Sequence, residues 1–213
     1  MQLKEYQAKH ITEILDISKG STQIPWEKAE VLTDFCNPWD TKRKFDTTFR
    51  ALHDQKHFFF RFEVKDDSIY IDEKSDDYES IGASDRMELF FRKDSSLAPY
   101  YCMEIDPKAR VMDFKAWPNK DFDFDWGFPQ EHLQVKSQII DEGYWVEGTI
   151  SLDVLKDLHL LKNDSLETGI FRAKFVKFED KSYKPVWITW VNPETKTPDF
   201  HTASSFGLVK LES

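Results

Sequence analysis

The sequence predicts an all-β protein, an antiparallel β-sandwich of Ig-like or jelly-roll-like type with one short helix. Three observations lead there. Apolar residues recur mainly at every second position, which is the period of a half-buried strand. Aromatic residues make up 15% of the 213 residues, with 18 Phe, 7 Trp and 7 Tyr, and such rings pack well on pleated surfaces. Helical spacing is confined to a single stretch. Closure into a barrel is the alternative that the same periodicity allows.

The first alternating run is Lys44 to Leu52, with Phe45, Thr47, Phe49 and Ala51 on one side. After the polar His53-Asp54-Gln55-Lys56, the run from His57 places Phe58, Phe60, Phe62 and Val64 together, so the pair reads as a hairpin. Further strands are expected at Asp85 to Phe91, Tyr100 to Ile105, Val111 to Trp117, Leu133 to Asp141 and Tyr144 to Ser151. Gly169 to Phe178, Val186 to Val191 and a closing Gly207 to Leu211 complete the set. The helix begins at a Ser151 cap and carries Leu152, Leu155, Leu158 and Leu161 before the turn-prone Lys162-Asn163-Asp164-Ser165. No repeat, low-complexity tract or Gly/Ser/Pro-rich linker breaks the chain, so a single domain over 1–213 is expected.

Composition narrows the function. With 29 basic and 39 acidic residues the formal net charge is −10, and no basic run offsets it. A nucleic-acid partner is therefore not expected, because phosphate binding draws on clustered Lys and Arg. Nor is a membrane partner, since no long uncharged apolar run occurs and mean hydropathy is −0.60. The first ten residues have no apolar core of signal-peptide length. A cytoplasmic location is expected if the sequence is complete, and a secreted or periplasmic one if a signal peptide has been removed. Cys36 and Cys102 lack metal-site spacing and read as two thiols rather than a bridge.

No Gly-rich phosphate loop, GxSxG elbow, HExxH or catalytic-cysteine context is present. Asp85 to Phe91 is more informative, because Met87, Leu89 and Phe91 share one face while Arg86, Glu88 and Phe90 share the other. Gly169 to Phe178 sets Phe171 and Ala173 against Arg172 and Lys174. If these polar faces line one concavity they offer charged hydrogen-bonding groups to hydroxyls; otherwise they are solvated faces with cross-strand ion pairs. Near the C-terminus a strand carrying Trp187 and Trp190 runs into a proline-bounded loop with Phe200 and His201. Rings beside polar residues suit a sugar, whose C–H faces stack while its hydroxyls bond. The plainer alternative puts Trp187 and Phe206 in the core and exposes only one of Trp190 and Phe200. The run Asp66-Asp67, Asp72-Glu73 and Asp76-Asp77 reads as a solvated loop, and His53, His57 and His132 as surface residues. Asp121, Asp123 and Asp125 have the spacing of the first ligands of a calcium loop, without its later Gly and Glu.

An ordered series then gives a resemblance: Trp26; Phe58-Phe59-Phe60-Arg61-Phe62 followed by Asp66-Asp67; Ser84-Asp85-Arg86-Met87-Glu88-Leu89-Phe90; Tyr100-Tyr101; Gly143-Tyr144-Trp145-Val146-Glu147; Gly169-Ile170-Phe171-Arg172; Trp187-Ile188-Thr189-Trp190; and Phe200-His201 ending in Ser205-Phe206-Gly207. The chain resembles the family 9-like carbohydrate-binding modules, often found near endoxylanases, from about Trp26 to Leu211. The resemblance implies a β-sandwich that binds an oligosaccharide or polysaccharide chain without cleaving it. In the family two tryptophans clamp a sugar ring, and a Glu in the matching strand bonds its hydroxyls. Glu88 falls on that Glu, Phe200 falls on one clamp position, and the other falls near Gly82, where no ring stands. The expected ligand-binding set is Arg86, Glu88, Arg172, Trp190, Phe200 and His201, with no catalytic residue. No cofactor is expected beyond the structural calcium that many family members carry. Two alternatives remain: a glycoside-active enzyme using Glu88 with a facing acid such as Glu104, and a haem-binding domain of the dopamine β-monooxygenase N-terminal type using Met87, Met103 or Met112 with a His.

Overall fold

The computed structural model describes residues 3–12 and 23–213. It is a β-sandwich whose two sheets share their first strand. β1 (Glu5–His10) pairs in parallel with β13 (Gly207–Leu211) through its first half and with β2 (Thr47–His53) through its second. From β13 the first sheet continues through β11 (Ser165–Lys177), β4 (Arg86–Arg92), β5 (Tyr100–Ile105), β6 (Val111–Trp117) and β7 (Asp121–Asp123), with β10 (Leu161–Lys162) and β12 (Tyr183–Thr189) alongside β11. The second sheet runs from β2 through β3 (His57–Lys65) and β9 (Gly143–Ser151) to β8 (Leu133–Ile140). Every pairing apart from the two of β1 is antiparallel.

Local chemistry sets the turns. Asp54 closes the β2–β3 hairpin by accepting from the backbone N–H groups of Lys56 and His57 at 2.7 and 2.6 Å, an Asx-type turn. Gly143 has φ +149°, and a Cβ there would stand 1.9 Å from the Val64 carbonyl oxygen, so only glycine lets β9 meet β3. Two short α-helices appear rather than one. α1 (Tyr78–Gly82) is capped by the Asp77 side chain, which accepts from Glu79 and Ser80. α2 (Leu152–Asp157) is capped by Ser151 as expected, but it stops before Leu158. His159 enters the left-handed region at φ +57°, and Leu161 belongs to β10.

The main core lies between the sheets. Phe49, Phe58, Phe60 and Phe62 of the second sheet meet Met87, Leu89, Phe91, Met103 and Ile170 of the first; burying each such side chain contributes about 1.5–3 kcal/mol. Met87 and Met103 fill this core, and Met112 lies beside Gly82. A second cluster covers the opposite, outer face of the first sheet, where Phe90, Tyr100, Cys102, Phe114 and Phe171 lie beneath Phe200 and Phe206. β4 and β5 are therefore buried on both faces. A loop returning from β12 roofs a face that strand alternation alone would leave to solvent. Both cysteines are free thiols.

Candidate functional site

The roof leaves one opening over the charged part of this face. A cavity of about 180 Å³ is lined by Arg86, Glu88 and Glu104 from β4 and β5, Trp187 from β12, Phe122 from β7, Lys120, and the Pro198–His201 loop. Each wall follows from backbone geometry. Glu88 stands directly opposite Glu104 in the β4–β5 register, so the two carboxyls project side by side from one face. In the three-residue turn Pro118–Lys120 between β6 and β7, Asn119 and Lys120 both have positive φ, 68° and 60°. That turn carries Lys120 to the rim, 3.5 Å from Asp199.

The floor is a buried charge cluster. The Arg86 guanidinium donates through Nε to Glu104 and through a terminal nitrogen to the Gly82 carbonyl at 2.6 Å. Its Nε also lies 3.0 Å from Glu88 Oε1, but without hydrogen-bond alignment, so Glu88 Oε1 has no hydrogen-bond partner on the protein. Burial pushes the Glu88 carboxyl up to about 8, Glu104 adds to the rise, and Arg86 opposes it. Glu104 is raised as well, by burial against the pull of Arg86. Two carboxyls sharing one guanidinium in a dry pocket therefore hold a proton at neutral pH.

The walls are aromatic. Phe200 is stacked on Phe171 with centroids 4.1 Å apart and planes at 11°, and it meets Trp187 edge-on at 5.4 Å. The Arg86 guanidinium lies 5.5 Å from the Trp187 ring centre. His201 packs between Phe90 and Phe122, with centroids at 5.1 and 5.0 Å, and its Nδ1 is 2.8 Å from the Tyr100 hydroxyl. Burial holds the imidazole down to about 4, so it is neutral at physiological pH. The arrangement offers hydrogen-bonding carboxyls on a floor and ring faces above it.

Of the six residues expected from sequence, Arg86, Glu88, Phe200 and His201 meet at this cavity, and Arg172 and Trp190 do not. Arg172 pairs in register with Met87, while Phe171 pairs with Glu88, so its side chain points between the sheets. There it binds Asp66 at 2.5 Å, and Lys174 joins Asp66 at 3.0 Å and Asp85 at 2.8 Å. Trp190 is 1% exposed in the main core; it lies three positions after Trp187, an odd offset, so the two rings fall on opposite faces. Of these two, Trp187 lines the cavity, and Phe206 belongs to the second cluster. Asp66 and Asp72 are buried rather than solvated, and His53 is buried as well.

Sequence reasoning did not place Trp187, Lys120, Phe122 or Asp199 in the site, and it named Glu104 only as half of an alternative pair. The alternating acids near Phe122 also resolve differently: Asp123 pairs with Lys115 at 3.1 Å, while Asp121 and Asp125 are exposed. Among the described residues no three His, Cys, Asp or Glu side chains converge in a way that could hold a metal ion. Neither Tyr78 nor Trp126 lines the cavity in place of the clamp ring missing near Gly82. Tyr78 stacks on Phe124 at 4.8 Å, and Trp126 packs on Tyr101 at 4.8 Å.

A sandwich with a roofed outer face, carboxyls on its floor and aromatic walls defines a ligand-binding domain. The chain belongs to the carbohydrate family 9 binding domain-like family, whose model matches residues 19–213. Its structure is similar to that of a candidate carbohydrate-binding protein from Bacteroides uniformis, with a TM-score of 0.72 and 18% identity over 99% of this chain and 100% of that one. It is also similar to a family 9 carbohydrate-binding module from Caldicellulosiruptor kristjanssonii. The glucose complex of that module gives a TM-score of 0.62 at 15% identity, covering 99% of this chain and 96% of that one. Its cellotriose complex gives 0.61 at 14%, covering 99% and 94%. At these identities the likeness establishes a shared fold. No curated protein matches the chain.

Proposed function

We propose that this protein is a noncatalytic carbohydrate-binding module that holds a sugar in the outer-face cavity of its first sheet. The observation that carries the proposal is Glu88 Oε1, a buried polar atom lining the cavity without a hydrogen bond from the protein. Such an atom is costly unless a partner arrives. A sugar hydroxyl both donates and accepts, so it satisfies this carboxyl whether or not the shared proton resides there. Trp187, Phe200 and Phe122 supply ring surface for the sugar's C–H face. At about 180 Å³ the cavity is below the roughly 300–1,000 Å³ of sites for drug-sized ligands, which suits one sugar unit. Family membership and the glucose and cellotriose complexes of the similar module support the ligand class.

The arrangement of the acids favours binding over hydrolysis. Glycosidases set two carboxyls on either side of the scissile bond. Here Glu88 and Glu104 stand side by side on one wall, both within reach of the same guanidinium. Titration calorimetry against mono- and oligosaccharides tests the reading. Glu88→Ala should weaken binding about tenfold or more, equivalent to ~1.4 kcal/mol, without lowering the melting temperature. Unchanged affinity in that variant would remove this cavity as the site.

A further inference from the structure

A larger concavity lies on the other sheet. The 33–46 segment overhangs the adjoining ends of β2, β3 and β9 and encloses about 800 Å³, within the range of sites that take extended ligands. Its wall includes Trp145, whose ring centre lies 4.6 Å from the Arg61 guanidinium, together with Glu63, Phe35, Asn37 and Asn192. It shares no lining residue with the smaller cavity. Its chemistry also differs, since it is larger and its strand walls mix buried residues such as Val64 and Tyr144 with half-buried Arg61, Glu63 and Trp145 rather than centring on a buried charge cluster.

The charges on this wall are largely self-compensated. Four basic side chains (Arg43, Lys44, Arg61 and Lys65) stand against three acidic ones (Asp46, Glu63 and Glu142). Arg61 is held by Glu63 at 3.0 Å and by Glu147 at 2.8 Å, and Arg43 by Asp40 at 2.8 Å. In a chain of net charge −10, such a wall neither gathers anions nor concentrates the negative charge that would draw cations. It presents fixed polar groups and ring surface to an uncharged partner. Glu147 also accepts from the Trp26 indole at 3.0 Å, so the Arg61 pair is anchored from behind and keeps its guanidinium beside Trp145. A partner rich in hydroxyls with apolar ring faces, longer than one ring, fits this surface.

We infer that this concavity is a second carbohydrate-binding site, one that takes several units of a neutral oligosaccharide along Trp145 and Arg61. The inference stands apart from the Glu88 cavity, and the two can fail separately. Calorimetric titration of the full chain with cellotriose, xylotriose and mannotriose, and with their hexaose counterparts, is the test, run on four proteins. These are the parent, Glu88→Ala, Trp145→Ala, and Thr48→Trp, which fills the groove from a surface position and leaves Trp145 in place. The parent should show two sets of sites for at least one hexaose. Glu88→Ala should retain the set that prefers the longer ligand, and both groove variants should weaken that set at least tenfold while remaining as thermostable as the parent. Retention of hexaose binding in Glu88→Ala, abolished by the groove changes, supports this site even if the smaller cavity proves empty. Absence of saturable binding in Glu88→Ala, or affinities unmoved by Trp145→Ala and Thr48→Trp, overturns it.

Discussion

Replacing Glu88 by Gln tests the buried carboxyl pair through stability. Native Glu88 holds its proton up to about 8, against 4.5 for an unperturbed Glu. Between those values the native state binds a proton that the unfolded chain has lost, so stability falls as pH rises, by about 1.4 kcal/mol per pH unit. His201 acts in the opposite sense. Its pKa is depressed from 6.5 to about 4, so the stability it contributes is complete above 6.5 and is lost as pH falls through that window. His53, lowered mainly by burial, adds to this loss on the acid side. The histidine contributions level off only about a unit above pH 6.5, but they are common to parent and variant and cancel in the difference between the two. From pH 6.5 to 8 the parent should lose about 1.6 kcal/mol relative to Glu88→Gln in urea denaturation. The Glu88→Gln profile should lack this falling component, because the buried carboxyl that holds the proton is gone. Equal slopes in the two proteins would show that the pair does not retain a proton, and the account of the cavity floor would fail.

Other consequences are simpler to read. Arg172→Met breaks a buried ion pair with Asp66 and should cost about 3 kcal/mol or more in chemical denaturation. Sugar affinity of the folded variant should match the parent, since Arg172 faces between the sheets; a matching loss of affinity would place it in the site after all. Gly143→Ala forces a Cβ against the Val64 carbonyl and should destabilise by more than ~1 kcal/mol, read as a lower urea midpoint. Thermal midpoints measured with and without EDTA test the structural calcium that the family resemblance implies, for which no three His, Cys, Asp or Glu side chains converge among the described residues. A chelator-dependent drop restored by calcium would reveal a site built from other atoms.

Strand alternation made most of the fold legible, and its failures have physical causes. β1 was missed because Glu5–His10 buries only two side chains, Tyr6 and Ala8, too few to register as a period. Its parallel pairing depends on two strands far along the chain. β11 begins at Ser165, earlier than its apolar run suggests, because Ser165 to Thr168 are held by β13 rather than by their own hydrophobicity. α2 ends early because leucine spacing continues past a residue that turns left-handed. In each case tertiary pairing or a local backbone choice outweighs a short periodic signal.

The site was legible in part for a related reason. Alternation separated Arg86 and Glu88 correctly from Met87 and Leu89, and it separated Arg172 from Phe171, but it says nothing about which face of one strand matches which face of its neighbour. Register decides that. Because Phe171 lies opposite Glu88 and Arg172 opposite Met87, the two arginines point away from each other. Both readings of the polar strand faces, ligand-lining or solvated, leave them open, yet both polar faces are buried. One is neutralised by Asp66 and Asp85 between the sheets. The other is roofed by Phe200 and His201, and one Glu88 oxygen there has its Arg86 ion pair but no hydrogen bond. Access to a cavity, rather than polarity, separates a structural ion cluster from a binding floor. Glu88 Oε1 and Arg172 Nε both lack a hydrogen bond, but Arg172 is ion-paired between the sheets whereas Glu88 lines a cavity. The distinction arises only after folding brings Asp66 to β11 and Pro198–His201 over β4, contacts spanning about half the chain or more, which no local pattern records.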